Sequence, residues 1–180
     1  PPQARSSAAS DVYKRQIIGG AKVSSKISVI ANMLDVVDNL IIGGGMAYTF
    51  IKNNGGAIGD SIFEKHKLND CSEIISLAEQ KNVNISLPED VVASNEFSND
   101  GLKKAINIYN IPKGWQGLDI GHLTISKFEK IVTESKTILW NGPMGVFEIP
   151  AFEQGTLAIA KSVAKATSLS LIHISEPTRP

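Results

Sequence analysis

The chain has 180 residues, with 18 Lys+Arg against 18 Asp+Glu and a formal net charge of +0. This length suits about one domain of roughly 100–200 residues. The zero balance argues against a nucleic-acid binder with a basic face and against a polybasic membrane clamp, while 42% hydrophobic content excludes a disordered chain. One cysteine, Cys71, allows no internal disulfide and reads as cytoplasmic. No apolar run reaches the ~18 residues of a membrane span, and PPQARSSAASDVYKRQ lacks the apolar stretch of a signal peptide.

In chain order, IIGG at 17–20 reads as a short strand ending in a glycine turn. Ser24 to Val37 reads as an amphipathic helix with Ile27, Ile30, Ala31, Leu34 and Val37 on one face, capped by Ser24 or Ser25. NLIIGGG at 39–45 is a strand, Met46 to Lys52 a helix and NNGGAIG at 53–59 a loop. Ser72 to Lys81 is a helix, NVNISLP at 82–88 a strand stopped by proline, and DVVAS at 90–94 a short strand. GLDIG at 117–121 is extended, Thr124 to Glu134 helical, TILWNG a strand before the GPMG turn, and Ala151 to Thr167 a long helix. The alternation predicts an α/β fold, a parallel sheet with helices on both faces. The apolar runs LII and TILW suit strands buried on both sides.

The two ends differ from this middle. All 15 glycines lie between Gly19 and Gly155, whereas four of the 8 prolines are Pro1, Pro2, Pro177 and Pro180. Segments 1–16 and 168–180 follow no period, and the strings SSAASDVYKRQ and SLIHISEPTRP resemble translated sequencing-adapter read-through. They are expected to be non-native tails around a core of 17–167, although a pair of natural flexible tails has the same appearance.

In parallel α/β sheets ligands bind beyond the carboxyl ends of the strands. Those ends here are GGAK, GGGM, LPED, GLDIG and WNGPMG, four of them carrying glycine. Glycine lets backbone approach a ligand, and a following helix N-terminus favours an anion. Lys22 and Lys26, four apart, are expected on one side of a helix start, where they could cradle a polyphosphate or simply be solvated. The loop lacks the GxxxxGK[ST] pattern, and GGGMAYTF lacks GxGxxG, which disfavours a nicotinamide dehydrogenase. In WNGPMGVFE, Asn141 offers a donor and an acceptor, and Glu148 could accept ribose hydroxyls or be a surface carboxylate. Trp140 and Phe147 read as core. His66 and His122 read as isolated histidines and Cys71 as a plain buried thiol. The acidic residues at 89, 90, 96 and 100 lack metal-loop spacing.

IIGGAKVSSKISVIANMLDVVDNLIIGGGMAYTF, LPEDVVAS, GWQGLDIG and ILWNGPMGVFE together resemble phosphoglycerate kinase, in that family's order and over about all of 17–167. The resemblance implies its C-terminal nucleotide-binding lobe, a Rossmann-like sheet truncated at both ends. It implies ATP or ADP with Mg2+ as cofactors, a monomer, and a 3-phosphoglycerate site in the N-terminal lobe. It places Gly20, Ala21, Lys22 and Lys26 on the phosphate side, the two lysines being catalytic. Gly44, Gly45, Gly117 and Leu118 fall near the adenine, Asn141 and Pro143 at nucleotide contacts, and Glu148 at the ribose. No metal ligand is carried over: the family's magnesium-serving aspartate belongs to a glycine-rich turn that has no counterpart after Thr167. His122 stands where the family often has proline, and Glu89 in a usually apolar or small slot. The chain alone is therefore expected to bind adenine nucleotide at most, without catalysis. A nucleotide-binding module and an unstable fragment remain alternatives.

Overall fold

The computed structural model describes residues 14–168 and 174–175. Its centre is a five-stranded parallel sheet in the order β10-β9-β1-β2-β4. These strands are β1 (Lys14–Ile18), β2 (Asn39–Ile42), β4 (Asn84–Ser86), β9 (Thr137–Asn141) and β10 (Ile174–Ser175). β1 is central: Gln16 lies in register with Leu40 on one side and Leu139 on the other. Among the described residues five α-helices pack around it: α1 (Ile27–Met33), α2 (Ala47–Asn53), α3 (Leu68–Gln80), α4 (His122–Thr133) and α5 (Gln154–Ser168).

Side chains alternate across a strand, so β1 and β2 feed two cores. Ile18, Leu40 and Ile42 join Ile30, Leu34, Phe50, Cys71, Ile74 and Ala78 under α1, α2 and α3. Ile17 and Ile41 join Phe128, Val132, Ile159 and Val163 under α4 and α5. The predicted α/β fold with helices on both faces of a parallel sheet is the one observed.

Two small sheets add to it. β3 (Ala57–Ile58), inside the stretch 53–59 read as loop, pairs with β7 (Asn110–Ile111). β5 (Asp90–Ser94), β6 (Lys103–Asn107) and β8 (Gln116–Ile120) form a separate antiparallel sheet in the order β6-β5-β8. DVVAS and GLDIG are thus strands, as expected, but outside the parallel sheet. The link from β5 to β6, residues 95–102, is too short for the crossover that parallel pairing needs.

Other boundaries shift. α1 starts at Ile27 rather than Ser24 and ends at Met33, because Lys26 N–H donates to Val23 O in a turn (2.9 Å) and Val36 N–H to Met33 O (2.9 Å). Neither Ser24 nor Ser25 caps it; their hydroxyls donate to Glu64 and to Lys22 O. β1 begins at Lys14, so the last three residues of segment 1–16 pair in the sheet, as do Ile174 and Ser175 from 168–180, and α5 extends to Ser168. A parallel ladder needs only backbone N–H and C=O groups in register, which these residues supply whatever their side chains. The rest of both segments lies outside the described residues. Among the described residues no helix is long and apolar enough to cross a membrane.

Candidate functional site

Three glycine turns meet beyond the ends of β1, β2 and β9. Gly20 N–H donates to Pro143 O (3.1 Å), Gly44 N–H to Met144 O (3.1 Å) and Met46 N–H to Gly20 O (2.9 Å). Gly44 has φ +67, and a Cβ there would sit 2.6 Å from Gly20 N. Both the left-handed backbone and the close approach exclude a side chain.

These turns bound a cavity of about 460 Å³, within the usual size of small-molecule sites. Gly20, Ala21, Gly44, Gly45, Gly117, Leu118, Pro143 and Glu148 all line it. Tyr48, Ile62, Phe97, Gln116, Met144, Gly145 and Val146 complete the wall. Val146 N–H donates to Leu118 O (2.8 Å), which joins the turn after β9 to β8. The lining is mostly glycine backbone and apolar side chains, with the Tyr48 phenol, the Gln116 amide and the Glu148 carboxylate as its polar groups. Such a slot accepts a flat, mostly apolar group.

The remaining expected site residues lie outside this lining. Lys22 is exposed and Lys26 half-buried. Both precede α1, so they share a loop and not the helical face expected from their spacing. Lys26 Nζ donates to Gly19 O (2.9 Å), Asn141 O (3.1 Å) and Asn141 Oδ1 (2.7 Å). Those three bonds match its three N–H groups and pin the ends of β1 and β9 together. Burial lowers the Lys26 pKa from its ordinary value. Asn141 here meets Lys26 and not the cavity.

Several residues beside the site escaped the sequence reading. Tyr48, Ile62 and Phe97 look like core or loop residues in sequence, yet they form its wall. Asp119 is 2% exposed. It accepts N–H bonds from Gly155 (2.7 Å) and Ile120 (2.9 Å). Burial nonetheless pushes its carboxyl up to about 7, against those two bonds. Burial, then the Asp119 charge, raise the neighbouring Tyr48 phenol. Of the residues read as core, Trp140 is partly buried with Nε1 on Gly142 O (2.7 Å), while Phe147 is exposed. Cys71 is the expected buried thiol; burial pushes it up to about 12, far from a reactive thiolate. Among the described residues no group of three or more His, Cys, Asp or Glu side chains converges as a metal cage.

The family model for phosphoglycerate kinase matches residues 7–175. The chain belongs to the phosphoglycerate kinase family. The phosphoglycerate kinase of Elusimicrobium minutum is 51% identical over 153 residues, 85% of this chain and 38% of that protein. The structure of phosphoglycerate kinase from Coxiella burnetii superposes with a TM-score of 0.85 at 42% identity, over 89% of this chain and 41% of that one. The crystal structure of the Pyrococcus horikoshii OT3 enzyme gives 0.66 at 25% identity, over 87% and 40%. The chain thus spans about two-fifths of the length of these phosphoglycerate kinases.

Proposed function

We propose that this chain is the adenine-nucleotide-binding part, the C-terminal lobe, of a phosphoglycerate kinase. The observation that carries the reading is the single cavity lined by all three glycine turns with Lys26 fixed beside them. The apolar slot between Gly44–Gly45 and Gly117–Leu118 takes the base, Glu148 accepts the ribose hydroxyls, and Pro143 closes the slot. The phosphate tail runs toward Gly20, Ala21, Lys22, Lys26 and Asn141. The parent reaction moves a phosphoryl group from the acyl phosphate of 1,3-bisphosphoglycerate to the terminal phosphate of ADP, giving 3-phosphoglycerate and ATP. Phosphoryl transfer rests on positioning and charge stabilisation. Lys22 and Lys26 supply that charge, and backbone N–H groups of the glycine turns add oriented donors. Lys26 meets a phosphate oxygen either through space or by exchanging Asn141 Oδ1 for it.

Mg2+, when bound with the nucleotide, offsets phosphate charge. Among the described residues no group of acidic, His or Cys side chains forms a cage for it. The 180-residue chain alone is expected to bind nucleotide without turning it over, in a cytoplasmic setting and as a monomer. Titration calorimetry with ADP tests the reading: saturable heat at micromolar to millimolar ligand is expected, with no ATP consumption when 3-phosphoglycerate is added. No heat at millimolar ADP removes the nucleotide role, and 3-phosphoglycerate-dependent ATP turnover removes the inactive-lobe reading.

A further inference from the structure

One short extended segment reaches both ends of the cavity. Ser61, Ile62, Phe63 and Glu64 follow β3 and precede α3. Ser61 Oγ, buried, accepts the Gly117 N–H (2.9 Å) at one end of the cavity. Ile62 lines the cavity itself, so close to Gly45 that a Cβ there would be 2.8 Å from Ile62 Cγ2. Glu64 then turns to the lysine loop: Ser24 N–H donates to its Oε2 (2.9 Å) and Ser24 Oγ to its Oε1 (2.6 Å). The segment is anchored from behind, because Glu64 N–H donates to Oγ1 of buried Thr49 in α2 (3.2 Å).

We propose that Glu64 is the positioning residue of the lysine loop, its carboxylate holding Ser24 by two hydrogen bonds and so setting where Lys22 and Lys26 stand relative to the cavity. The proposal rests on the nucleotide-binding reading above. It concerns the phosphate end alone, since Glu64 touches the loop and does not line the cavity. Each oxygen of the carboxylate is used, so the contact fixes the orientation of Ser24 as well as its distance. The clamp stands at neutral pH. Burial pushes the Glu64 carboxyl up, but the hydrogen bonds from the Ser24 side chain and backbone and the nearby His66 outweigh it, leaving the group below its usual range.

A carboxylate beside an anion-binding loop has a rival description, as a negative charge that merely opposes phosphate. The two make opposite statements about Glu64→Gln. The amide keeps one acceptor for Ser24 and removes the charge. Positioning predicts ADP affinity in the order wild type, E64Q, E64A, with E64A weaker by about tenfold. Repulsion predicts that E64Q and E64A bind ADP more tightly than wild type. Adenosine, which has no phosphate, should bind wild type and both variants alike within about twofold. Ser24→Ala reads the same contact from the other side at an exposed position, and should weaken ADP severalfold with adenosine unchanged. Equal or tighter ADP binding by the Glu64 variants overturns the proposal, and so does a matching loss of adenosine.

Amide hydrogen exchange without nucleotide separates this from the broader reading. Residues 22–26 should exchange faster in E64A while the amides of β1 and β2 stay protected. If wild type binds no ADP, the nucleotide reading falls, and exchange alone judges the clamp. Unchanged exchange at 22–26 overturns it in either case.

Discussion

Asp119 shows how far one residue's behaviour departs from its place in a motif. In GLDIG it looks like one more strand carboxylate. In the fold, Gly145 and Gly155 come so close that neither has room for a side chain against it. Water is excluded, and desolvation raises the carboxyl to about 7. The unfolded chain releases this proton near pH 4. Between those values the folded state holds a proton that the unfolded state has lost, so stability falls as pH rises. The contribution is full below the unfolded value and is lost as pH climbs through about 7. Urea midpoints should therefore drop from pH 6 to pH 8 in wild type, a loss of about 1–2 kcal/mol in unfolding free energy. Asp119→Asn should remove that fall, giving midpoints that match at the two pH values. A slope retained in the variant assigns the titration to another group.

At the scale of the element, β1 carries the clearest conflict between composition and position. It is the central strand, with Ile17 and Ile18 fully buried, yet Arg15 and Gln16 precede them at 7% and 1% exposure. Arg15 donates to Ile131 O and reaches Glu134 at 3.7 Å on the α4 side. Gln16 faces the opposite core with Leu40, and among the described residues its Oε1 meets no donor. Leaving a buried amide oxygen unsatisfied costs about 1–3 kcal/mol. Gln16→Leu should raise the unfolding free energy by about 1–2 kcal/mol, read as a higher urea midpoint with an unchanged slope. A neutral or destabilising result shows that the amide is better accommodated than its surroundings indicate. α1 makes the complementary point. Its apolar spacing was legible from Ile27 to Val37, but Glu64 claims Ser24 and Lys22 O claims the Ser25 hydroxyl, so the helix starts three residues late. Sequence shows what could cap a helix, and tertiary contacts decide whether the cap is free.

Across the molecule, β1 and β2 serve two cores at once, and disrupting either should unfold both. Phe128 is fully buried among Ile17, Ile41 and Ile159 on the α4 and α5 face. Phe128→Ala should cost about 3–5 kcal/mol. Far-UV circular dichroism and tryptophan fluorescence should report one shared transition, because the damaged core and the intact one share strands. Two separated transitions would make the faces independent.

The strand runs LII and TILW, the helix period and the glycine-ended turns lay in the sequence because each is local: burial on both sides, a repeat of 3.6, a backbone without Cβ. They sufficed for a parallel sheet flanked by helices with glycine turns at its carboxyl ends, whereas Gly44, Gly117 and Pro143 were assigned to a nucleotide site only by the family resemblance. Pairing across distance was not local. Tertiary structure alone set β5, β6 and β8 apart as a separate sheet and brought Ile62 and Phe97 to the cavity wall. It also turned Lys26 onto Asn141, buried Asp119 between two glycines and laid Glu64 on Ser24. Each of those depends on which residue arrives from another part of the chain, and periodicity carries no record of that.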